Sequence, residues 1–275
     1  METIQVGATE VRYEVCGGGE PVICLHANPF VDWYLPLFER MPDYAFLRYS
    51  RRPIDDAPLS IAGDAATCRE LVDHVGWERA HVIGHSAGAL TALQLAVDAP
   101  ELVHSLCLLE PAVPSPSSDG DDTGDEDPFA PILKAHAAGD YGTAMERFLV
   151  LVCGNGARAI LERSVPGAFE QAVQACEYFF RVEVPSILQF AFTAELAGRI
   201  AAPVLNVVGE RSEPGFVHGA DTVQSWFPDA QRFTLPDATH LLMVEQPDAM
   251  AAALAQFFAR HPISGAVGSV SPAST

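Results

Sequence analysis

Basic residues are scarce in this chain: Lys and Arg total 16 against 36 Asp and Glu, a formal net charge of −20 over 275 residues. Such a surface repels phosphate backbones and anionic headgroups, so neither nucleic acid nor a membrane is expected as a partner. No export signal is expected either. Glu2, Gln5, Glu10, Arg12 and Glu14 interrupt the stretch where a secretory leader needs an apolar core, and a cytoplasmic location is the expectation. Long apolar runs are missing: stretches such as Phe148 to Cys153 fall far short of the ~20 residues that span a bilayer. The six cysteines, at 16, 24, 68, 107, 153 and 176, show neither paired nor metal-ligand spacing. They are expected as buried thiols in a reducing compartment, with no metal or other cofactor called for. There is no internal repeat.

What the chain does have is 49% hydrophobic and 19% charged residues, enough to bury a sizeable core. Short β-branched runs recur at Val11 to Val15, Pro21 to Leu25, Ala45 to Tyr49, Ala80 to Ile83, Leu102 to Leu109 and Pro203 to Val208. Several are apolar throughout, which predicts strands covered on both faces. Between them, Ile61, Ala65, Cys68, Leu71, Val72 and Val75 recur at helical spacing behind Ser60, a fitting N-cap, and Ala87 to Val97 stops before Pro100. Alternating strand and helix predict an α/β fold with a mostly parallel sheet. The rhythm breaks after Glu110. Asp119 to Asp127 holds six acids in nine residues without the ligand spacing of a calcium loop, so 114–128 is expected to be a solvated, mobile acidic loop. Helical patterns follow until Pro203 restarts the strands. The expected organisation is a core of 1–111 and 200–262, a helical cap at 112–199 inserted between two strands, and a disordered tail at 263–275.

Gly84-His85-Ser86-Ala87-Gly88 sits between a predicted strand and a predicted helix. A serine on so sharp a turn adopts a strained backbone, and only small residues two before and two after it let strand and helix approach. Its oxygen then stands at a helix N-terminus, where negative charge is favoured. Ser86 is the candidate nucleophile. A hydroxyl needs a base to take its proton, and His240, on the turn after the strand Arg232 to Leu235, is the candidate. His26, His81 and His85 flank strands, His74 lies on a helix, His104 opens a strand, and His136, His218 and His261 read as exposed.

With these motifs the chain resembles the α/β-hydrolase superfamily, in its cap-bearing esterase and lactonase branch. The likeness runs from about residue 11 to 260 and rests on His26-Ala27-Asn28-Pro29 after a strand, the Gly84 to Gly88 turn and the His240 loop. It implies an α/β-hydrolase fold: a mostly parallel central sheet flanked by helices, with an inserted helical cap. It also implies an oxyanion hole made by the backbone amides of Asn28 and Ala87, which would stabilise charge appearing only in the tetrahedral state. The third member of the triad departs from the common pattern. Most relatives carry an Asp three residues beyond the glycine that ends the next strand, where this chain has Ser212 after Gly209. Haloalkane dehalogenases and zearalenone-type lactonases instead place an acid at the end of the strand following the nucleophile helix, and Glu110 fills that place here. Glu210 and Glu213 remain alternatives, whereas Asp237 is expected to shape the turn before His240.

The nucleophile itself argues against two other chemistries. Dehalogenases and epoxide hydrolases use an aspartate where Ser86 stands. The expected activity is therefore hydrolysis of a carboxylic ester or lactone with an apolar portion, through an acyl-enzyme, on a small-molecule substrate. Cleavage of a carbon–carbon bond in a diketone uses the same triad and stays open, as does a hydrolase-like binding protein. Nine aromatics between Phe129 and Phe192 suit an apolar pocket or simple cap packing. Arg51 and Arg52 are expected mainly at the surface, with a substrate carboxylate as the other possible partner. Oligomeric state is not legible.

Overall fold

The computed structural model describes residues 1–7, 9–114 and 127–263. The acidic loop expected at 114–128 and the tail expected at 263–275 lie, but for their end residues, outside the described residues. Among those described, one eight-stranded sheet forms the centre. In chain order its strands are β1 (Glu2–Val6), β2 (Thr9–Gly17), β3 (Glu20–Leu25), β4 (Tyr44–Tyr49), β5 (Ala80–His85), β6 (Val103–Leu109), β7 (Val204–Gly209) and β8 (Gln231–Leu235). They lie side by side as β1-β2-β4-β3-β5-β6-β7-β8. β1, β2 and β4 pair antiparallel, and from β4 to β8 every pairing is parallel.

The helices fall on both faces. They are α1 (Leu35–Phe38), α2 (Ile61–Val75), α3 (Ala87–Asp98), α4 (Ala130–Ala137), α5 (Tyr141–Cys153), α6 (Ala157–Ser164), α7 (Ala168–Tyr178), α8 (Val184–Gln189), α9 (Ala194–Ala197), α10 (Pro214–Trp226), α11 (Leu242–Glu245) and α12 (Pro247–Arg260). A π-helical turn, Phe179–Glu183, joins α7 to α8. No helix among the described residues is long and apolar enough to cross a membrane.

The central strands are apolar along their whole length because both faces are covered. β5 and β7 are buried at every residue, whereas β1, at the edge, buries only Val6 and has no continuous apolar run by which to be predicted. The Ser60 hydroxyl caps α2 by accepting from the Gly63 amide, and Gly76 ends the helix in the left-handed conformation. Ala65, Cys68, Leu71 and Val72 of α2 are buried and pack, with Leu93 and Ala96 of α3, against Ile23, Leu47 and Val82 on one face of the sheet. On the other face, α12 residues Leu254 and Phe258 join a cluster that runs through Val22, Ile83 and Leu109 to Leu149, Phe179 and Phe180. The helices between β6 and β7 therefore share one apolar core with the sheet. The six cysteines are all free, and only Cys16 is not fully buried.

Arg51 departs from the surface role expected of it: it is 5% exposed and ion-paired. His136 and His261 are half-buried rather than exposed, while His218 is exposed as expected.

Candidate active site

Ser86 occupies the turn between β5 and α3 with φ 56° and ψ −122°, a left-handed backbone that a non-glycine residue adopts only when its surroundings enforce it. The flanking glycines are part of that enforcement. A Cβ on Gly84 would come within 2.6 Å of the Ala89 Cα, and one on Gly88 would overlap the Leu25 carbonyl at the end of β3. The turn is fixed further by the Ser86 amide donating to the Leu109 carbonyl at 3.0 Å, and by the Ala89 and Ala112 amides donating to the Ser86 carbonyl at 3.1 and 3.2 Å. Ser86 is only partly buried, so its hydroxyl stands at the head of α3, where the first-turn amides have no partner within the helix.

Glu110, directly after β6, is fully buried and also has a positive φ, of 43°. This turn aims its carboxylate across the end of β7. Oε1 accepts from the Gly209 amide at 2.6 Å and from the Ser212 hydroxyl, and Oε2 meets His240 Nδ1 at 2.6 Å. Three donors compensate the carboxylate for the water it has lost. A carboxylate can only accept, so Nδ1 carries the proton and Nε2 presents its lone pair. Among the described residues no hydrogen bond joins that nitrogen to Ser86 Oγ; such contacts are often long in a free enzyme and tighten when substrate binds.

His240 is held from several sides. The loop that carries it is anchored by Glu245, whose Oε2 accepts from the Thr239 amide at 2.6 Å and hydroxyl at 2.8 Å. Arg211 donates from Nε to the Asp237 carbonyl at 3.0 Å. Phe216, from α10, stacks on the imidazole with centroids 3.7 Å apart and planes 11° apart. His85 lies 4.5 Å away, ring to ring, and its Nε2 bonds the His240 carbonyl at 3.1 Å. Burial, and then the charge of His240, push the His85 imidazole well below its usual range, so it serves as an uncharged neighbour.

Of the candidates, Glu110 and His240 are the pair the structure joins directly. Ser86, Glu110 and His240 come from the ends of β5, β6 and β8, all at the same edge of the sheet. Asn28 and Ala87 are buried, 5% and 1% exposed, the first on the loop after β3 and the second opening α3. Glu210 and Glu213 are exposed; Glu210 accepts from the Asp237 amide at 3.0 Å instead of reaching the imidazole. Asp237 sits at φ 55° in the turn, the shaping role expected of it. Ser212 and Phe216 were not singled out by sequence. The departure from the usual Asp was the only signal pointing to Ser212, and a stack between α10 and the His240 loop leaves none.

An apolar core backs the site. Ala27, Phe30, Trp33 and Ala87 belong to the same buried cluster as Phe179, Phe180 and Cys153 of the β6–β7 insertion. Phe190 and Phe192 stack on each other, and Phe192 packs on Trp226 in the other cluster, so these two aromatics serve packing. A cleft of about 390 Å³ opens beside Asn28, lined by His26, Arg48, Arg52, Gln171 and Gln174 among others.

Comparison with known proteins bears on the family and the fold. The model of the alpha/beta hydrolase family matches residues 22–253. Over 119 residues the chain is 34% identical to the dihydrolipoyllysine-residue acetyltransferase component of the acetoin cleaving system of Cupriavidus necator, a stretch covering 38% of this chain and 30% of that relative. The chain spans less than half the length of the curated relatives it matches. Among solved structures it is similar to the enol-lactonase from Burkholderia xenovorans LB400, with a TM-score of 0.78 and 17% identity over 94% of this chain and 100% of that one. A thermophilic esterase from Thermogutta terrifontis gives a TM-score of 0.76 and 18% identity, covering 95% and 99%. Likeness at such identities speaks for the fold, and the family match for descent: the chain belongs to the alpha/beta hydrolase family.

Proposed function

We propose that the protein is a serine hydrolase that cleaves a carboxylic ester or lactone with an apolar portion through an acyl-enzyme. The observation that carries this reading is the buried Glu110–His240 pair, 2.6 Å apart, at the sheet edge where Ser86 stands on its strained turn. Glu110 fixes the imidazole in the tautomer whose Nε2 can take a proton, and its charge stabilises the imidazolium that forms. Ser86 Oγ attacks the carbonyl carbon as its proton passes to His240. The oxygen that turns negative is met by the amides of Asn28 and Ala87. Collapse expels the alcohol, protonated by His240, and leaves the acyl group on Ser86; water, deprotonated by the same imidazole, then releases the acid. An apolar portion of the substrate suits a site whose imidazole is stacked on Phe216 and which is backed by the apolar cluster of Phe30, Phe179 and Phe180.

The test is turnover by the wild type and Ser86→Ala on p-nitrophenyl esters of graded chain length, a lactone panel and diketones. Hydrolysis of esters or lactones that Ser86→Ala abolishes supports the reading. Equal turnover by the variant contradicts it, and turnover confined to diketones reassigns the bond that is broken.

A further inference from the structure

The Arg51 guanidinium, just beyond β4, joins four parts of the molecule. Nε meets Asp64 of α2 at 2.5 Å, Nη2 donates to Thr91 of α3 at 3.0 Å, and Nη1 reaches both the His26 carbonyl and Glu183 Oε1, the latter at 2.7 Å. His26 belongs to the loop that carries Asn28, and Glu183 closes the π-helical turn of the β6–β7 insertion. Asp64 is well supplied: Tyr49 donates to Oδ1 at 2.8 Å, and Thr91 to Oδ2 at 2.9 Å. Glu183 is not. It is 4% exposed, and its Oε2 has no hydrogen-bond partner among the described residues. The Asn28 amide N–H faces this carboxyl and favours its ionised form, though short of full hydrogen-bond geometry.

Charge balance singles out Glu183. One buried cation serves two buried carboxylates, and a second buried negative charge has no counterpart. Burial, with Asp64 adding to it, pushes the Glu183 carboxyl up to about 7 against the pull of Arg51 and the Asn28 amide. Four other titratable groups of the cluster hold their state near neutrality. Burial lifts the Tyr49 and Tyr178 phenols above their usual range and lowers His26 to about 4, while Arg51 is held charged by Asp64 and Glu183. Glu183 is thus the member of this cluster poised to change charge.

We propose that Glu183 is a positioning residue that controls the oxyanion hole through the Asn28 amide. Uncharged, it leaves that amide to the substrate oxygen. Ionised, it draws the N–H toward itself and sets a negative charge beside the oxygen that becomes negative during reaction. The inference rests on the serine-hydrolase reading above. Because the oxyanion exists only in the tetrahedral state, the effect falls on kcat and leaves KM nearly unchanged. Losing one oxyanion donor outright costs ~10²–10³ in kcat, so competition for one is expected to cost roughly ten- to a hundred-fold.

The experiment measures kcat and KM on p-nitrophenyl butyrate, followed at its isosbestic wavelength from pH 5.5 to 9.5, for the wild type, Glu183→Gln and Glu183→Met. The wild-type kcat should fall on the alkaline side with a midpoint near 7, and both variants should lose that fall. Met is included because an apolar residue of similar volume is commonly tolerated in place of a buried charge. A wild-type kcat that stays flat above neutrality overturns the proposal whatever the variants do, and so does an alkaline fall that either folded variant retains. Labelling of Ser86 by an alkyl fluorophosphonate in the same samples separates the two claims. Labelled enzyme with a flat profile removes only the role of Glu183; unlabelled enzyme whose turnover survives Ser86→Ala removes both.

Discussion

The Ser212 hydroxyl, on the loop after β7, donates to the carboxylate of Glu110 at the end of β6. The loop that in most relatives would carry the triad acid here supplies donors to an acid on the neighbouring strand, since the Gly209 amide also bonds Glu110 Oε1 at 2.6 Å. Removing the hydroxyl leaves a buried acceptor short of one donor. Ser212→Ala should therefore lose about 1–3 kcal/mol of stability and turn over about ten-fold more slowly as the carboxylate loosens. Urea unfolding and steady-state rates check both.

The position of the acid is tested by charge removal. Glu110→Gln keeps the shape, abolishes the charge opposite protonated His240 and can offer the imidazole an amide donor where it needs an acceptor. Turnover should drop by up to ~10⁴ with circular dichroism unchanged, whereas Glu210→Gln and Glu213→Gln should have modest effects. A collapse in either of the latter, with Glu110→Gln near normal, would move the acid to the β7 side.

Gly88 is predicted to be irreplaceable for steric reasons. A methyl group there would overlap the Leu25 carbonyl, and Gly88→Ala should cost about 3 kcal/mol as α3 is pushed off β3. Gly215, in the first turn of α10, faces open space, and Gly215→Ala should gain about 0.5–1 kcal/mol from helix propensity and a less flexible unfolded chain. Thermal unfolding of the two variants should shift in opposite directions.

Much of the site was legible because its signals are local. The strand–Gly84–Ser86–Gly88–helix order, the capped start of α2 at Ser60 and the place of Glu110 after an apolar strand each need only a short window. What was missed depends on residues far apart in sequence. Arg51 reads as a surface cation until Asp64, 13 positions on, and Glu183, 132 positions on, are seen folded around it. Phe216 meets His240 only through the packing of α10 against the loop after β8. β1 went unread because an exposed edge strand has no reason to be apolar.

Buried neutral histidines set the acid side of stability. Burial lowers His26 to about 4 and pushes His81 and His85 down as well. Below their ordinary value of about 6.5 the unfolded chain binds protons that the folded chain refuses, so stability drains as pH falls from there toward 4. Glu183 acts in the opposite sense: raised to about 7 from an ordinary 4.5, it binds its proton longer in the folded state, and its contribution declines as pH rises between those values. The histidines outnumber it. The urea midpoint should therefore be lower at pH 5 than at pH 6.5, and Glu183→Gln should steepen the loss; a midpoint that rises on acidification contradicts this assignment.

The central claim is a covalent bond between Ser86 and the acyl group of the substrate. Turnover of p-nitrophenyl butyrate, quenched in acid within the first turnovers and digested for mass spectrometry, tests it directly. A butyryl adduct is expected on Ser86 in the peptide containing the Gly84 to Gly88 turn, and none in Ser86→Ala. Rapid turnover with no acyl adduct on Ser86, or an adduct on another residue, would contradict it.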